Sequence, residues 1–130
     1  RVKKLFRDNF SDYKWRADSV SKAEIFMDCF AITVCESEGV QSPTVLCAQV
    51  ANELLDINGI EASFVLTDYN DKIYISARSL DSINVQLIME RLGGGGHMNM
   101  AGAQIKDRTI REVKYEVIQT IKQMREDKAI

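Results

Sequence analysis

Two β-prone stretches flank a single polar pair in EASFVLTDYNDKIYISARS, residues 61–79. Asn and Asp tolerate the positive φ of a tight turn better than most residues. The stretch therefore predicts a hairpin, with strand 61–69, a turn at Asn70-Asp71 and strand 72–79. An antiparallel pair in mid-chain rules out an all-parallel sheet. In its second strand Ile73, Ile75 and Ala77 alternate with Tyr74, Ser76 and Arg78, so Arg78 is expected to point away from the apolar face.

The flanking segments alternate between strand and helix signals. AEIFMDCFAITVCE predicts a short strand near 23–26, a turn at Met27-Asp28 and a longer strand at 29–36, because it is rich in β-branched and aromatic residues. QSPTVLCAQVANELLDINGIEA predicts a helix whose inner face carries Cys47, Val50, Ala51, Leu54 and Leu55. Ser42 suits its cap, Pro43 its first turn, and Gly59 a position just past its end. SINVQLIMERL predicts a short helix capped by Asp81 or Ser82, with Val85, Ile88, Met89 and Leu92 inward. AGAQIK reads as a strand, and DRTIREVKYEVIQTIKQMRED as a long helix with a Thr109–Glu112 capping box. Its apolar stripe is Ile110, Val113, Val117, Ile121 and Met124. The expected fold is a single α/β domain, a mixed β-sheet packed with helices, in the order β-β-α-β-β-α-loop-β-α.

A chain of 130 residues suits one domain with a sizeable core. It has no apolar run long enough to span a membrane, and its start reads as the interior of a longer chain. Cys29, Cys35 and Cys47 lie among apolar neighbours without metal-ligand spacing and are expected to be buried free thiols, with no disulfide and no zinc. The first 22 residues, with Phe6, Phe10, Tyr13 and Trp15 interspersed, read as a linker or partial helix whose aromatics pack on a neighbour. Charge is uneven. Residues 25–105 hold ten acids against only Lys72, Arg78 and Arg91, so a broad basic face for duplex nucleic acid is not evident there. An anion would have to be held locally, by a few placed donors.

RLGGGGHMNMAGAQI, residues 91–105, offers such donors, with five of the chain's seven glycines, four of them consecutive, and its one histidine. Gly93 is explained by helix termination, whereas each further glycine costs entropy, roughly 0.5–1 kcal/mol relative to alanine in regular structure. Consecutive glycines can turn several N–H groups into one concavity that binds an anion. His97 and Arg78 would add charged donors, the latter with a fork matched to phosphate oxygens. The plainer reading is a flexible loop with a solvated histidine. Neither G-x-G-x-x-G nor a Walker loop fits, and nothing supports a nucleophilic or two-carboxylate mechanism.

ISARS at 75–79 followed by INVQLIMERLGGGGHMNMAGAQI at 83–105 resembles the signature of the DHH-associated domain, the C-terminal half of DHH-family phosphoesterases. The likeness runs from about Ala23 to the last helix and is nearest to the GdpP/YybT type of cyclic-di-AMP phosphodiesterase. The resemblance implies a hydrolase parent in which a separate DHH domain holds two manganese ions and generates the attacking hydroxide. This domain, 23–130, would grip the substrate's other phosphate. Arg78 and Ser79 would contact phosphate, and Gly94, Gly95, Gly96 and His97 would form the phosphate-facing loop. Asn84 and Asn99 are further carry-overs, and no metal ligands or catalytic residues are expected in this chain. The family often has proline at Met98 and a small residue at Met100, departures that bear on the base pocket. Residues 1–22 would be the interdomain connector, and the chain a cytoplasmic domain of a parent anchored in the bacterial membrane. The partners implied are a cyclic or linear dinucleotide and the DHH domain. A single-stranded nucleic-acid module and a dimerising domain are the alternatives.

Overall fold

The computed structural model describes the backbone of residues 2–130 and the side chains of residues 10–130. Ten elements follow one another: α1 (Val2–Ser21), β1 (Glu24–Phe26), β2 (Phe30–Cys35), α2 (Pro43–Leu55), β3 (Ala62–Tyr69), β4 (Lys72–Ser79), α3 (Val85–Arg91), β5 (Gly95–His97), β6 (Met100–Ile105) and α4 (Ile110–Glu126). The strands form one mixed sheet in the order β1-β2-β3-β4-β6-β5. Only β2 and β3 run parallel, joined through α2, and every other neighbouring pair is antiparallel.

Both expected turns form. Met27 and Asp28 have φ of 51° and 71°, and Asn70 and Asp71 have 54° and 61°. Two consecutive left-handed residues make the turn whose twist matches the flanking strands.

Two apolar layers sandwich the sheet. On one face Phe30, Ile32, Phe64, Leu66, Ile73 and Ile75 pack against α3 and α4, whose inward stripes are the expected ones. Fully burying a side chain such as Phe64 contributes roughly 1.5–3 kcal/mol. On the other face α2 packs Cys47, Val50, Ala51 and Leu54 on Ala31, Cys35 and Val65. The buried hydroxyls there are satisfied: Thr33 donates to the Ser19 carbonyl at 2.7 Å and Ser63 to the Ala51 carbonyl at 2.7 Å. All three cysteines are buried free thiols.

Several local expectations need correction. The glycine run is not a loop: Gly95–His97 forms the edge strand β5. Helix α2 ends at Leu55, four residues before Gly59, which adopts φ of 94° in the following turn. Ser42 does occupy the N-cap position, but its side chain makes no capping bond. Helix α3 is capped by Asn84, not by Asp81 or Ser82. The Asn84 carboxamide oxygen accepts from the amides of Gln86 and Leu87 at 3.0 and 3.3 Å. Asn84 wins because it directly precedes the first residue with helical geometry, where its oxygen reaches those donors.

The first stretch is helical from Val2 to Ser21. Its Trp15 and Val20 pack on the α2 layer of this same domain, and Arg16 pairs with Glu53 at 3.2 Å. Phe10 and Tyr13 stay exposed, while the Phe6 side chain lies outside the described residues.

The capping box at the start of α4 forms as expected. Glu112 N donates to Thr109 Oγ1 at 3.1 Å, and Thr109 N to Glu112 Oε1 at 2.8 Å. The Thr109 amide donating to it, and after that the Thr109 hydroxyl beside it, hold the Glu112 carboxyl below its ordinary pKa. A carboxyl so lowered stabilises the fold above its unfolded value of about 4.3, and that contribution is lost as pH falls through the folded value. Acid unfolding of Glu112→Gln, followed by circular dichroism, is expected to show a shallower loss of stability below about pH 4.3 than the wild type. An identical pH dependence would mean the box contributes nothing.

Candidate functional site

The register of the sheet defines the site. Arg78 of β4 lies opposite Met100 of β6, and Met100 lies opposite His97 of β5. Directly opposed residues in neighbouring strands project to the same face. Arg78, Met100 and His97 therefore form one row across three strands. The row two residues along is Ser76, Gly102 and Gly95, and the next is Tyr74 and Gln104. On this face α2 lies over β3 and β4, and α1 reaches β2. None of these eight residues belongs to either apolar core. The β6-β5 edge of the sheet is thus a floor open beside α2 and backed by α3, with the half-buried β4 residues Tyr74, Ser76 and Arg78 along its border.

Arg78 is half-buried on this floor. One of its terminal nitrogens donates to the neighbouring Ala77 carbonyl at 2.9 Å, while its buried Nε has no partner. Burial pushes the guanidinium pKa down from its ordinary value. Among the described residues no carboxylate pairs with it. A cation that has lost water without gaining a counter-charge favours an incoming anion. His97 is exposed two strands away, about 10 Å across the sheet by strand spacing. Arginine and histidine side chains can close over that gap, with the exposed Met100 beneath.

Ser79, Asn84 and Asn99 hold the frame. Ser79 is buried, and its hydroxyl donates to the Ile83 carbonyl at 2.6 Å. The Asn99 carboxamide donates to the Ser79 carbonyl at 3.1 Å, while the Ser79 amide donates to the Asn99 carbonyl at 3.1 Å. The Val85 amide donates to the Met98 carbonyl at 2.9 Å. These bonds pin the β5–β6 turn between the end of β4 and the start of α3, which fixes His97 relative to Arg78. The expectation that Ser79 reaches phosphate directly meets a hydroxyl whose proton is already committed.

The glycines act differently from an anion nest. Gly93, at φ of 86°, donates to Glu90, and Gly94 donates to Met89 at 2.8 Å, so both amides close the end of α3. A Cβ on Gly94 would stand 2.1 Å from the Gly102 carbonyl oxygen, and one on Gly96 2.5 Å from the Ala101 α-carbon. Close approach of β5 to β6 therefore requires glycine at both positions. The floor residues Tyr74, Ser76, Gly102 and Gln104 were not singled out in the sequence. The alternation in β4 marks two of them as outward, but nothing local says that β6 lies beside β4.

Among the described residues no three His, Cys, Asp or Glu side chains are grouped so as to hold a metal ion. Nor is any helix long and apolar enough to cross a membrane.

Comparison with known proteins agrees with this architecture. The chain is 42% identical over 121 residues to the cyclic-di-AMP phosphodiesterase PdeA of Listeria monocytogenes, covering 92% of this chain and 18% of that protein. It is also 42% identical over 121 residues to the cyclic-di-AMP phosphodiesterase GdpP of Geobacillus thermodenitrificans, with the same coverage. The chain thus spans about a fifth of the length of these relatives. Among solved structures, an exopolyphosphatase-related protein from Bacteroides fragilis superposes with a TM-score of 0.76 at 20% identity, over 88% of this chain and 35% of that one. That likeness shows the fold. Residues 31–126 match the DHHA1 domain, and the chain belongs to that family.

Proposed function

We propose that this chain is the substrate-recognition part of a phosphodiesterase, gripping a phosphate of a cyclic or linear dinucleotide, cyclic-di-AMP foremost, with Arg78 and His97. The observation that carries the reading is the half-buried Arg78 guanidinium, lacking a carboxylate among the described residues and sharing a row with His97. The names of PdeA and GdpP support the choice of substrate. Gly95 and Gly96 lend the floor and the close turn, and Ser79, Asn84 and Asn99 the frame. Bond cleavage would fall to a manganese-holding DHH domain of the parent protein, outside this chain. In the same reading that parent is a membrane-anchored hydrolase, and this chain is its cytoplasmic portion.

The open floor is three rows long, about 13 Å by strand rise. That accommodates one nucleotide with its phosphate, and no basic track continues beyond it in residues 25–105 to hold more than a neighbouring nucleotide. Titration with phosphorylated oligonucleotides of increasing length is therefore expected to saturate in affinity at two nucleotides, with no hydrolysis by this chain in manganese buffer. Its salt dependence is expected to be shallow, a log–log slope of about −0.7 per neutralised phosphate. Affinity that keeps growing with length, with a steep salt slope, would favour a single-stranded nucleic-acid module. Turnover by the purified chain would overturn the division of labour.

A further inference from the structure

Gly95 is a glycine without a structural reason. Gly93 needs its positive φ, and Gly94, Gly96 and Gly102 would each drive a Cβ against backbone. Gly95 has an ordinary strand conformation and open space where its Cβ would stand. Glycine in a strand interior is costly and often marks a close approach to another group. Gly95 and Gly102 leave the middle row of the floor with only the Ser76 side chain.

The rows give this gap a scale. The phosphate row of Arg78, Met100 and His97 lies one two-residue step, about 7 Å, from the glycine row, and Tyr74 and Gln104 lie a second such step beyond. At that far end β5 has stopped, and a cavity of about 440 Å³ opens, bounded by Tyr74, Gly93, Gly94, Gly102, Ala103 and Gln104. A nucleotide held by its phosphate at the first row would lay its base over the second and turn the base edge toward the third. Gln104 is exposed there, and Lys72 Nζ donates to its Oε1 at 3.2 Å. That contact biases the carboxamide orientation and leaves Nε2 and the second lone pair of Oε1 for a ligand.

We propose that Gln104, beside Tyr74, reads the base of a nucleotide whose phosphate lies at Arg78 and His97, and that it selects adenine over guanine. The inference rests on the phosphate reading above. A carboxamide pairs with adenine through two bonds: Oε1 accepts from the N6 amino group and Nε2 donates to N7. Guanine presents two acceptors, O6 and N7, so Oε1 would face another acceptor. The ring lies flat over Gly95 and Gly102, where a side chain at Gly95 would take its place.

Equilibrium titration of this chain with the 5′-phosphorylated linear dinucleotides pApA and pGpG tests this. The wild type is expected to prefer pApA, by about ten- to a hundredfold. Gln104→Arg is expected to reverse the preference, since arginine donates twice to guanine O6 and N7. Gly95→Val is expected to melt no lower than the wild type and to bind both ligands at least about tenfold more weakly, a loss of about 1.4 kcal/mol. If Arg78→Ala weakens binding about tenfold or more while Gln104→Arg leaves the pApA:pGpG ratio unchanged, the base assignment is wrong and the phosphate reading stands. If Arg78→Ala binds as the wild type does, or the wild type binds neither ligand, the phosphate reading falls and the base assignment with it.

Discussion

An Arg78→Ala variant is expected to bind a 5′-phosphorylated dinucleotide about ten- to a hundredfold more weakly than the wild type, because a charge-assisted hydrogen bond to phosphate contributes roughly 1.5–3 kcal/mol. Its fold stability changes little. The wild-type guanidinium makes one bond to the Ala77 carbonyl, keeps a buried unpartnered Nε and bears the cost of partial burial. Removing it loses one contact and relieves one desolvated charge. Arg78→Lys is expected to recover only part of the affinity, since a point charge cannot reproduce a planar fork. Calorimetric titration at fixed ionic strength reads the loss, and thermal melting of the same samples separates it from unfolding. An alanine variant with wild-type affinity would remove the basis for a phosphate at this row.

Adjacent glycines provide the second large contrast. Gly94→Ala is expected to destabilise the domain by about 1–3 kcal/mol or more, as overpacking against unyielding atoms does. The new Cβ would stand 2.1 Å from the Gly102 carbonyl oxygen and 2.7 Å from the Ala103 Cβ. Neither is the movable end of a long side chain, so β5 must separate from β6. Gly95→Ala, one residue along, meets nothing within 4 Å and is expected to gain about 0.5–1 kcal/mol from reduced backbone entropy. Urea melts of the two variants should therefore move in opposite directions. Equal destabilisation would show that Gly95 has a packing role that its surroundings do not reveal. A stabilised Gly95→Ala with weakened dinucleotide affinity would be the signature of a glycine kept for a ligand.

Most of the framework was legible because it depends on local chemistry. Asn70-Asp71 and Met27-Asp28 form the expected turns, and the Thr109–Glu112 box closes as its spacing requires. The stripes of α3 and α4 face the sheet as their three- and four-residue steps demand. Errors fell where two elements compete for the same residues. Asp81, Ser82 and Asn84 are all competent caps, and the choice of Asn84 follows from where β4 releases the chain. Four glycines in a row carry no side-chain pattern at all, so a strand among them could not be distinguished from a loop.

The site divides along the same line. Arg78 on the outward face of its strand, and glycines beside a histidine, follow from alternation and composition alone. That β6 inserts between β4 and β5, putting Arg78, Met100 and His97 in one row, was decided by long-range pairing between segments some twenty residues apart in sequence. The same pairing gave Asn99 and Ser79 each other as partners and brought Gln104 onto the floor. Local sequence sets which face of a strand a residue occupies, since that requires only the two-residue repeat of the backbone. Which strands become neighbours depends on how the whole set of apolar faces is buried at once, and that choice exists only in the folded chain.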